Sequence, residues 1–361
     1  MISICCIQSY VRMNRSQIYI KRGEQLRESI AEIFKNFGFG DIAGKKVVVK
    51  PNMLRAATPD QGVVTDPRLL SETVLFLIDA GADVIVGDNS APNRTSNEIE
   101  IARSCGFIEA SHGRFRNISS HSRKVVQKDG LLKELYVSPD ILDCDILVSL
   151  PKLKPHDLTM MTAAVKNHFG IIPGALKPHI HALFPRIDDF SRVLIEVYEL
   201  RPPDIIIVDC LDVIDARGKR HTPGIIIGGD NGHAIDFVCA QMIDTDPYMI
   251  PTLKIAKDEG LFEPNNIEVI GEFRRLKGYS MPFRFPFRNS VVEFVARLLY
   301  RMWLARKPVI HLSKCTRCLR CEDVCPKDAI KDQTIDYKKC IKCYCCLEVC
   351  PEQAITTKFA V

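Results

Sequence analysis

Short, nearly continuous runs of Val and Ile recur through roughly the first 270 residues, each stopped by Pro, Gly or Asp. They fall at 45–50, 83–87, 145–150, 204–209 and 224–228. Runs with so little polar alternation suit strands buried on both faces. Between them lie helical patterns. One covers 66–80, with Pro67 at the first helical position and Gly81 just past the end. A second covers 157–169 and is closed by Gly170. Strands alternating with helices predict an α/β domain: a mostly parallel sheet with flanking helices.

The pattern breaks at 276–289. Gly278, Pro282 and Pro286 interrupt an arginine- and phenylalanine-rich stretch, which reads as an irregular connector. A helix is predicted next, over 290–305. Its polar residues Glu293, Arg297 and Arg301 are spaced four apart on one narrow stripe. Its other faces are apolar, so it must be buried on most sides or lie in an interface. The predicted organisation is an α/β domain over 1–272, a basic aromatic connector with its helix over 273–307, and a small C-terminal module over 308–361.

Charge sharpens this division. The chain of 361 residues carries a net charge of +5. Between Arg274 and Lys307 nine basic residues face one acid, Glu293, so the remainder is slightly acidic. That balance argues against nucleic acid as a partner. The first ten residues lack the charged and apolar regions of a signal peptide. No apolar run reaches the ~18 residues of a spanning helix. The expected location is the cytoplasm.

Nine of the fifteen cysteines fall between Cys315 and Cys350. This clustering points to metal ligation rather than a disulfide framework. They belong to an internal repeat, KCTRCLRCEDVCPKDAI over 314–330 and KCIKCYCCLEVCPEQAI over 339–355. Each half carries C-x2-C-x2-C-x3-C-P. The repeat resembles the bacterial two-cluster ferredoxin, an α+β module. In that pattern three thiolates of one run hold a 4Fe–4S cubane and the fourth reaches the other cluster. Cys315, Cys318, Cys321 and Cys350 are therefore expected on one cluster. Cys340, Cys343, Cys346 and Cys325 are expected on the second. Cys345 breaks no spacing and is expected to be a non-ligand; Pro326 and Pro351 redirect the chain after each fourth cysteine. Zinc is the bland alternative, but zinc needs neither a third cysteine at this step nor Cys-Pro. Small β-ribbons are expected between 309–311 and 354–356, and between 329–330 and 334–335.

A second constellation lies where the strands end, the usual place for ligands in open α/β sheets. Those ends carry Lys50, Asn52, Asp88, Lys152, Lys154, His156 and Asp209, and the following helix adds Lys166, Asn167 and His168. Lysines and amides converging there suit an anionic ligand, and His156 or His179 can move protons. Each is weak alone. His168 reads as a packed core histidine. His179 and His181 read as loop residues. Asp209, Asp212 and Asp215 read as strand-end and turn residues rather than a metal cluster. Cys5 and Cys6 read as buried thiols of an N-terminal strand. Neither a dinucleotide loop, a P-loop nor a Gly-x-Ser-x-Gly elbow is present.

Lys50-Pro-Asn-Met-Leu, Gly87-Asp88, Pro151-Lys152-Leu-Lys154-x-His156 and Ala164-Val-Lys166-Asn167-x-x-Gly170 resemble the family called domain of unknown function 362. Val208-Asp209, Gly229-Asp230 and Ala234-Ile-Asp236 fit its second half. The resemblance spans roughly residues 1–270 and implies a fold and a pocket made of Lys50, Asn52, Asp88, Lys152, His156, Lys166 and Asn167. It implies no reaction. Members often carry the same C-terminal ferredoxin. One departure is Asp215-Ala216-Arg217-Gly218, where a glycine- and glutamate-containing turn is expected.

These features predict an iron–sulfur electron-transfer protein or oxidoreductase. Its two 4Fe–4S clusters would exchange electrons with an anionic small molecule in the α/β domain. The alternative is a carrier or docking subunit whose α/β domain binds a redox partner protein. A further alternative lays the 290–305 helix on a membrane surface.

Overall fold

The computed structural model describes residues 15–90, 98–119, 122–156, 159–174, 176–184, 186–282, 306–323, 325, 327–340, 346, 350, 352 and 354–359. Seven strands form the main sheet. They are β1 (Ser16–Arg22), β2 (Lys46–Pro51), β3 (Asp83–Val86), β4 (Ile146–Leu150), β5 (Ile205–Cys210), β6 (Ile225–Gly229) and β7 (Ile267–Ile270). Their order is β7-β1-β6-β5-β4-β2-β3. The run β5-β4-β2-β3 is parallel throughout. Only β6 is antiparallel to its neighbours β5 and β1, while β7 is parallel to β1. The fold is the mostly parallel α/β sheet that the unalternating Val/Ile runs predict.

Those runs read as they do because both faces are covered. Val47, Val49, Val148 and Ile207 face one core. There they meet Ile30, Ile33 and Phe34 of α1 (Leu26–Asn36) and Leu70, Val74 and Leu77 of α2 (Pro67–Asp79). The alternate positions point the other way. Val48 and Leu147 pack with Phe190 and Val193 of α6 (Ile187–Leu200). Ile206 and Val208 pack with Ile235 and Val238 of α7 (Gly232–Met242). α2 begins as expected, Asp66 capping it by accepting from the Arg68 amide. Gly81 beyond its end has φ 79°, a left-handed turn that favours glycine.

Two expectations fail in the segment after β4. The predicted helix over 157–169 does not form. Lys154–His156 and Met160–Thr162 make an antiparallel hairpin instead. A short helix α4 (Ala164–Asn167) and a 3-10 turn (His168–Ile171) follow. The start of α4 is set by a distant group: the Asp236 carboxylate accepts from the Ala164 amide at 2.6 Å and the Val165 amide at 3.2 Å. A helix whose first free amides are held at 164 cannot begin seven residues earlier. His179 and His181 lie not in a loop but on α5 (Leu176–Leu183), where His181 stacks on Phe190 with ring centroids 4.1 Å apart.

In the C-terminal module the two expected ribbons form. Arg306–Ile310 pairs with Ile355–Phe359, with Ile310 opposite Ile355. Ile330 and Lys331 pair with Ile335 and Thr334. Leu276, Tyr279 and Met281, at the start of the connector, pack against the α7 side of the α/β core. Residues 283–305 of the connector and its predicted helix, with Cys5, Cys6, Cys343, Cys345, Pro326 and Pro351, lie outside the described residues. No helix among the described residues is long and apolar enough to cross a membrane.

Candidate functional site

The chain leaves β4 at Pro151 and runs alongside the end of β5, the Leu153 amide donating to the Asp209 carbonyl. That bridge sets Lys152 beside Asp209. Lys152 Nζ donates to Asp209 Oδ2 at 2.9 Å, and both side chains are essentially inaccessible. Asp209 also accepts from the Asp66 and Leu211 amides at 2.7 and 3.0 Å. Burial pushes its carboxyl up, against the pull of Lys152.

β2 and β3 build a second buried pair. Lys50 Nζ lies 2.7 Å from Asp88 Oδ1. Asp88 Oδ2 accepts from the Met53 amide at 2.8 Å. Burial lowers the Lys50 ammonium, and Asp88 partly restores it. Gly170 is packed onto this pair so closely that a β-carbon would collide with Asp88 Oδ1 and Lys50 Nζ. A side chain there would separate the two charges, which accounts for the glycine without appeal to φ.

An amide relay lies beside the pairs. Ser149 Oγ accepts from Asn167 Nδ2 at 3.0 Å, and Asn167 Oδ1 accepts from Asn52 Nδ2 at 2.8 Å. Asn52 Oδ1 in turn accepts from Lys154 Nζ at 2.6 Å. Lys154 donates also to the Val63 carbonyl and is 6 % exposed. Its partners are neutral oxygens. Burial, with Lys166 and Lys152 nearby, therefore lowers its ammonium far below the usual lysine range.

Lys166 on α4 is partly exposed, and its ammonium forms no hydrogen bond or ion pair among the described residues. Burial, then Lys177 and Lys50, lowers it to about 8. Lys177 on α5 donates to the Asn89 and Ser90 carbonyls. Glu98, at the start of α3 (Glu98–Ser104), accepts from Ser90 Oγ at 3.0 Å. Burial raises its carboxyl to about 7, opposed by Lys177. His156 sits on the hairpin with Nδ1 accepting from the Thr159 amide at 3.2 Å. Burial and then Lys166 hold it down at about 2, and the same causes hold His181 at about 4. These imidazoles are neutral at pH 7.

The structure thus brings Lys50, Asn52, Asp88, Lys152, Lys166 and Asn167 to one sheet edge, with His156 at its border. Asp209 joins them through Lys152. His168 is a packed core residue, edge-on to Tyr198 at 5.6 Å. Asp215 organises its own turn, accepting from the Arg217 and Lys219 amides, and Asp212 pairs with Arg220. Thr65, Ser149, Glu98 and Asp236 escape sequence reasoning. Thr65 receives the Asn52 amide and donates to the Leu150 carbonyl. Asp236 alone had a signal, its place in Ala234-Ile-Asp236. It anchors the helix that carries Lys166 and Asn167, and burial raises its carboxyl to about 7. Asp236→Ala leaves two buried amides unpaired and is expected to cost roughly 2–3 kcal/mol of unfolding free energy, read by urea denaturation.

In the C-terminal module Cys315, Cys318, Cys321 and Cys350 line one pocket with Ile310 and Ile355. Arg317 and Leu319, between the cysteines, have φ of 58° and 60°. Left-handed turns at alternate residues curl the loop so that its thiols share the pocket. Cys325, Cys340 and Cys346 pack around Ile330, Ile335 and Ile355. The repeat is also symmetric in its sulfur bonds. The Ala329 amide donates to Cys325 Sγ and the Ala354 amide to Cys350 Sγ, both at 3.2 Å. A soft, apolar-walled set of cysteine sulfurs with N–H donors suits iron–sulfur clusters.

Residues 47–241 match the family described as domain of unknown function (DUF362). The chain belongs to that family. Residues 308–331 and 334–356 each match the 4Fe-4S binding domain, so the C-terminal module binds two 4Fe–4S clusters and the chain is an iron–sulfur electron-transfer protein. Among curated relatives it is similar to the thylakoid-associated protein sll1697 of Synechocystis sp., with 27 % identity over 229 residues, covering 60 % of this chain and 69 % of that protein. Among solved structures it resembles the lactate racemase apoprotein of Thermoanaerobacterium thermosaccharolyticum. The identity there is 15 % and the TM-score 0.43, covering 64 % of this chain and 57 % of that one. A protein of Thermotoga maritima matches at 13 % identity and TM-score 0.38, covering 65 % and 59 %. The chain therefore spans less than two thirds of either solved structure.

Proposed function

We propose that this chain is an oxidoreductase whose α/β domain holds an anionic small molecule at the strand-end pocket, as the electron donor or acceptor for its clusters. The observation that carries this reading is the pair Lys154 and Lys166. Both are lysines of the pocket with no carboxylate partner among the described residues. Lys50 and Lys152, by contrast, are matched by Asp88 and Asp209. A site that balances two lysines internally and leaves two unbalanced is built for a charge brought from outside. Bound clusters supply single-electron transfer. Lys166 attracts the anion, Lys154 and the Asn52–Asn167 relay orient it, and Gly170 keeps the floor of the pocket intact. The ligand set is proposed as Cys315, Cys318, Cys321 and Cys350 for one cluster and Cys340, Cys343, Cys346 and Cys325 for the other.

The test is anaerobic. Dithionite-reduced protein is mixed with the small-molecule fraction of a cell extract, and recovery of cluster absorbance is followed. Recovery is expected with the native chain and is expected to slow roughly 100-fold in Lys166→Met, the scale of losing one desolvated ion pair. Lys166 is a cation below about pH 8 and neutral above it. Apparent affinity should therefore hold below pH 8 and fall about tenfold per pH unit above it. Recovery that needs a protein fraction, and is indifferent to Lys166→Met, would instead establish the chain as a carrier docking on a partner protein.

A further inference from the structure

We propose that the pocket ligand is a small dianion seated between Lys154 and Lys166, and that its binding brings one proton onto Lys154. This rests on the anion-pocket reading above and names the class of anion. The first observation is a count of charge. Among the described residues, with exposed Arg55 and the Arg68-paired Asp66 set aside, the site gathers Lys50, Lys152, Lys154, Lys166 and Lys177 against Asp88, Asp209 and Glu98. Asp88 answers Lys50, Asp209 answers Lys152, and Glu98 lies in the field of Lys177. Lys166 remains as a cation and Lys154 as an amine able to become one, so together they can answer two negative charges. A monoanion answers Lys166 alone and leaves Lys154 a neutral amine, whereas the second charge of a dianion can hold Lys154 protonated as a buried pair.

The second observation is the hydrogen bonding of Lys154. Its nitrogen donates to Asn52 Oδ1 and to the Val63 carbonyl. Both are oxygens that only accept. The Asn52 amide is locked in that orientation, because its Nδ2 is committed to Asn167 Oδ1 and Asn167 Nδ2 to Ser149 Oγ. A neutral amine has two N–H bonds, enough for these two acceptors. A ligand oxygen at the same nitrogen needs a third N–H, so the amine must take up a proton as the ligand arrives. The groups that face Lys154 agree. Among the described residues Lys166 from α4, Lys152 from just past β4 and Arg55 from the loop after β2 oppose its charge, while Asp88 favours it. Around Lys166 the facing groups are Lys177 and His181 of α5, Lys50 of β2 and His156 of the hairpin, all basic.

The experiment is isothermal calorimetry of the full chain at pH 7 in two buffers of different ionisation enthalpy. The probes are oxalate as a dianion, inorganic phosphate as a mixture of mono- and dianion whose own proton release is subtracted, and acetate and formate as monoanions. A dianion is expected to bind roughly 100-fold more tightly than acetate. Its apparent enthalpy is expected to shift between buffers by the amount of about one proton taken up. Lys166→Met, at a partly exposed position, should erase the preference for two charges. Asn52→Asp, which gives Lys154 a carboxylate and charges it beforehand, should erase the proton uptake. Equal affinity for acetate, or binding without proton uptake, overturns the inference and leaves the anion pocket standing. Failure of every anion to bind overturns the pocket as well. Preference for phosphate over oxalate would place both charges on one phosphoryl group; the reverse would place them on two carboxylates.

Discussion

Replacing Cys350 by serine should remove the same cluster as replacing Cys315, although the two lie in opposite halves of the repeat. Cys350 shares a pocket with Cys315, Cys318 and Cys321. Each variant is expected to halve iron and acid-labile sulfide, and the double variant should lose no more than either single one. Cys325→Ser should take the other half, so that Cys325→Ser with Cys315→Ser empties the module. Serine is a hard, poorly ionised oxygen ligand in a site that needs soft thiolate. Iron and sulfide analysis after anaerobic reconstitution, with the electron paramagnetic resonance signal of the reduced protein, measures this. Additive loss from Cys315→Ser and Cys350→Ser would mean that each run holds its own cluster. Cys345→Ser should leave iron unchanged.

The second large effect is expected at Asp209. Asp209→Asn keeps the shape but leaves Lys152 buried with no counter-charge, and two backbone amides compete for the one remaining oxygen acceptor. Breaking a buried pair from one side costs about 3–5 kcal/mol. A loss of that size should appear in chemical denaturation. Lys152→Met with Asp209→Leu removes both charges and should recover most of it, because well-packed apolar groups often replace a buried ion pair without penalty. If the single variant is as stable as the native chain, the Lys152–Asp209 pair contributes nothing to folding. If the double variant is stable and still binds the anion, the Lys152–Asp209 pair serves folding alone.

Much of the domain is legible in the sequence. Val47-Val48-Val49 and Ile205-Ile206-Ile207 announce strands covered on both sides, because a face open to water would demand alternation. The cysteine repeat announces its clusters, because the ligand spacing is dictated by a rigid inorganic core rather than by the rest of the fold. The segment after β4 was not legible. Its apolar residues, Ala163, Ala164, Val165 and Phe169, fit a helix locally, and the group that decides where the helix starts is Asp236, on α7. Propensity is a weak prior wherever a distant carboxylate holds the first amides.

By itself, then, the sequence determined what depends on neighbours in the chain: the buried parallel strands, the start and end of α2, the two-cluster module and the set of polar residues at the strand ends. Tertiary structure alone decided how those polar residues divide. Lys50 comes from β2 and Asp88 from just past β3, Lys152 and Asp209 from a bridge between the ends of β4 and β5, and among the described residues Lys154 donates to an amide and a backbone oxygen. In the sequence these lysines are equivalent, since each follows or ends a strand. Burial separates them. A lysine removed from water is defined by the atoms within 3 Å of its nitrogen, and those atoms arrive from parts of the chain that no local pattern connects.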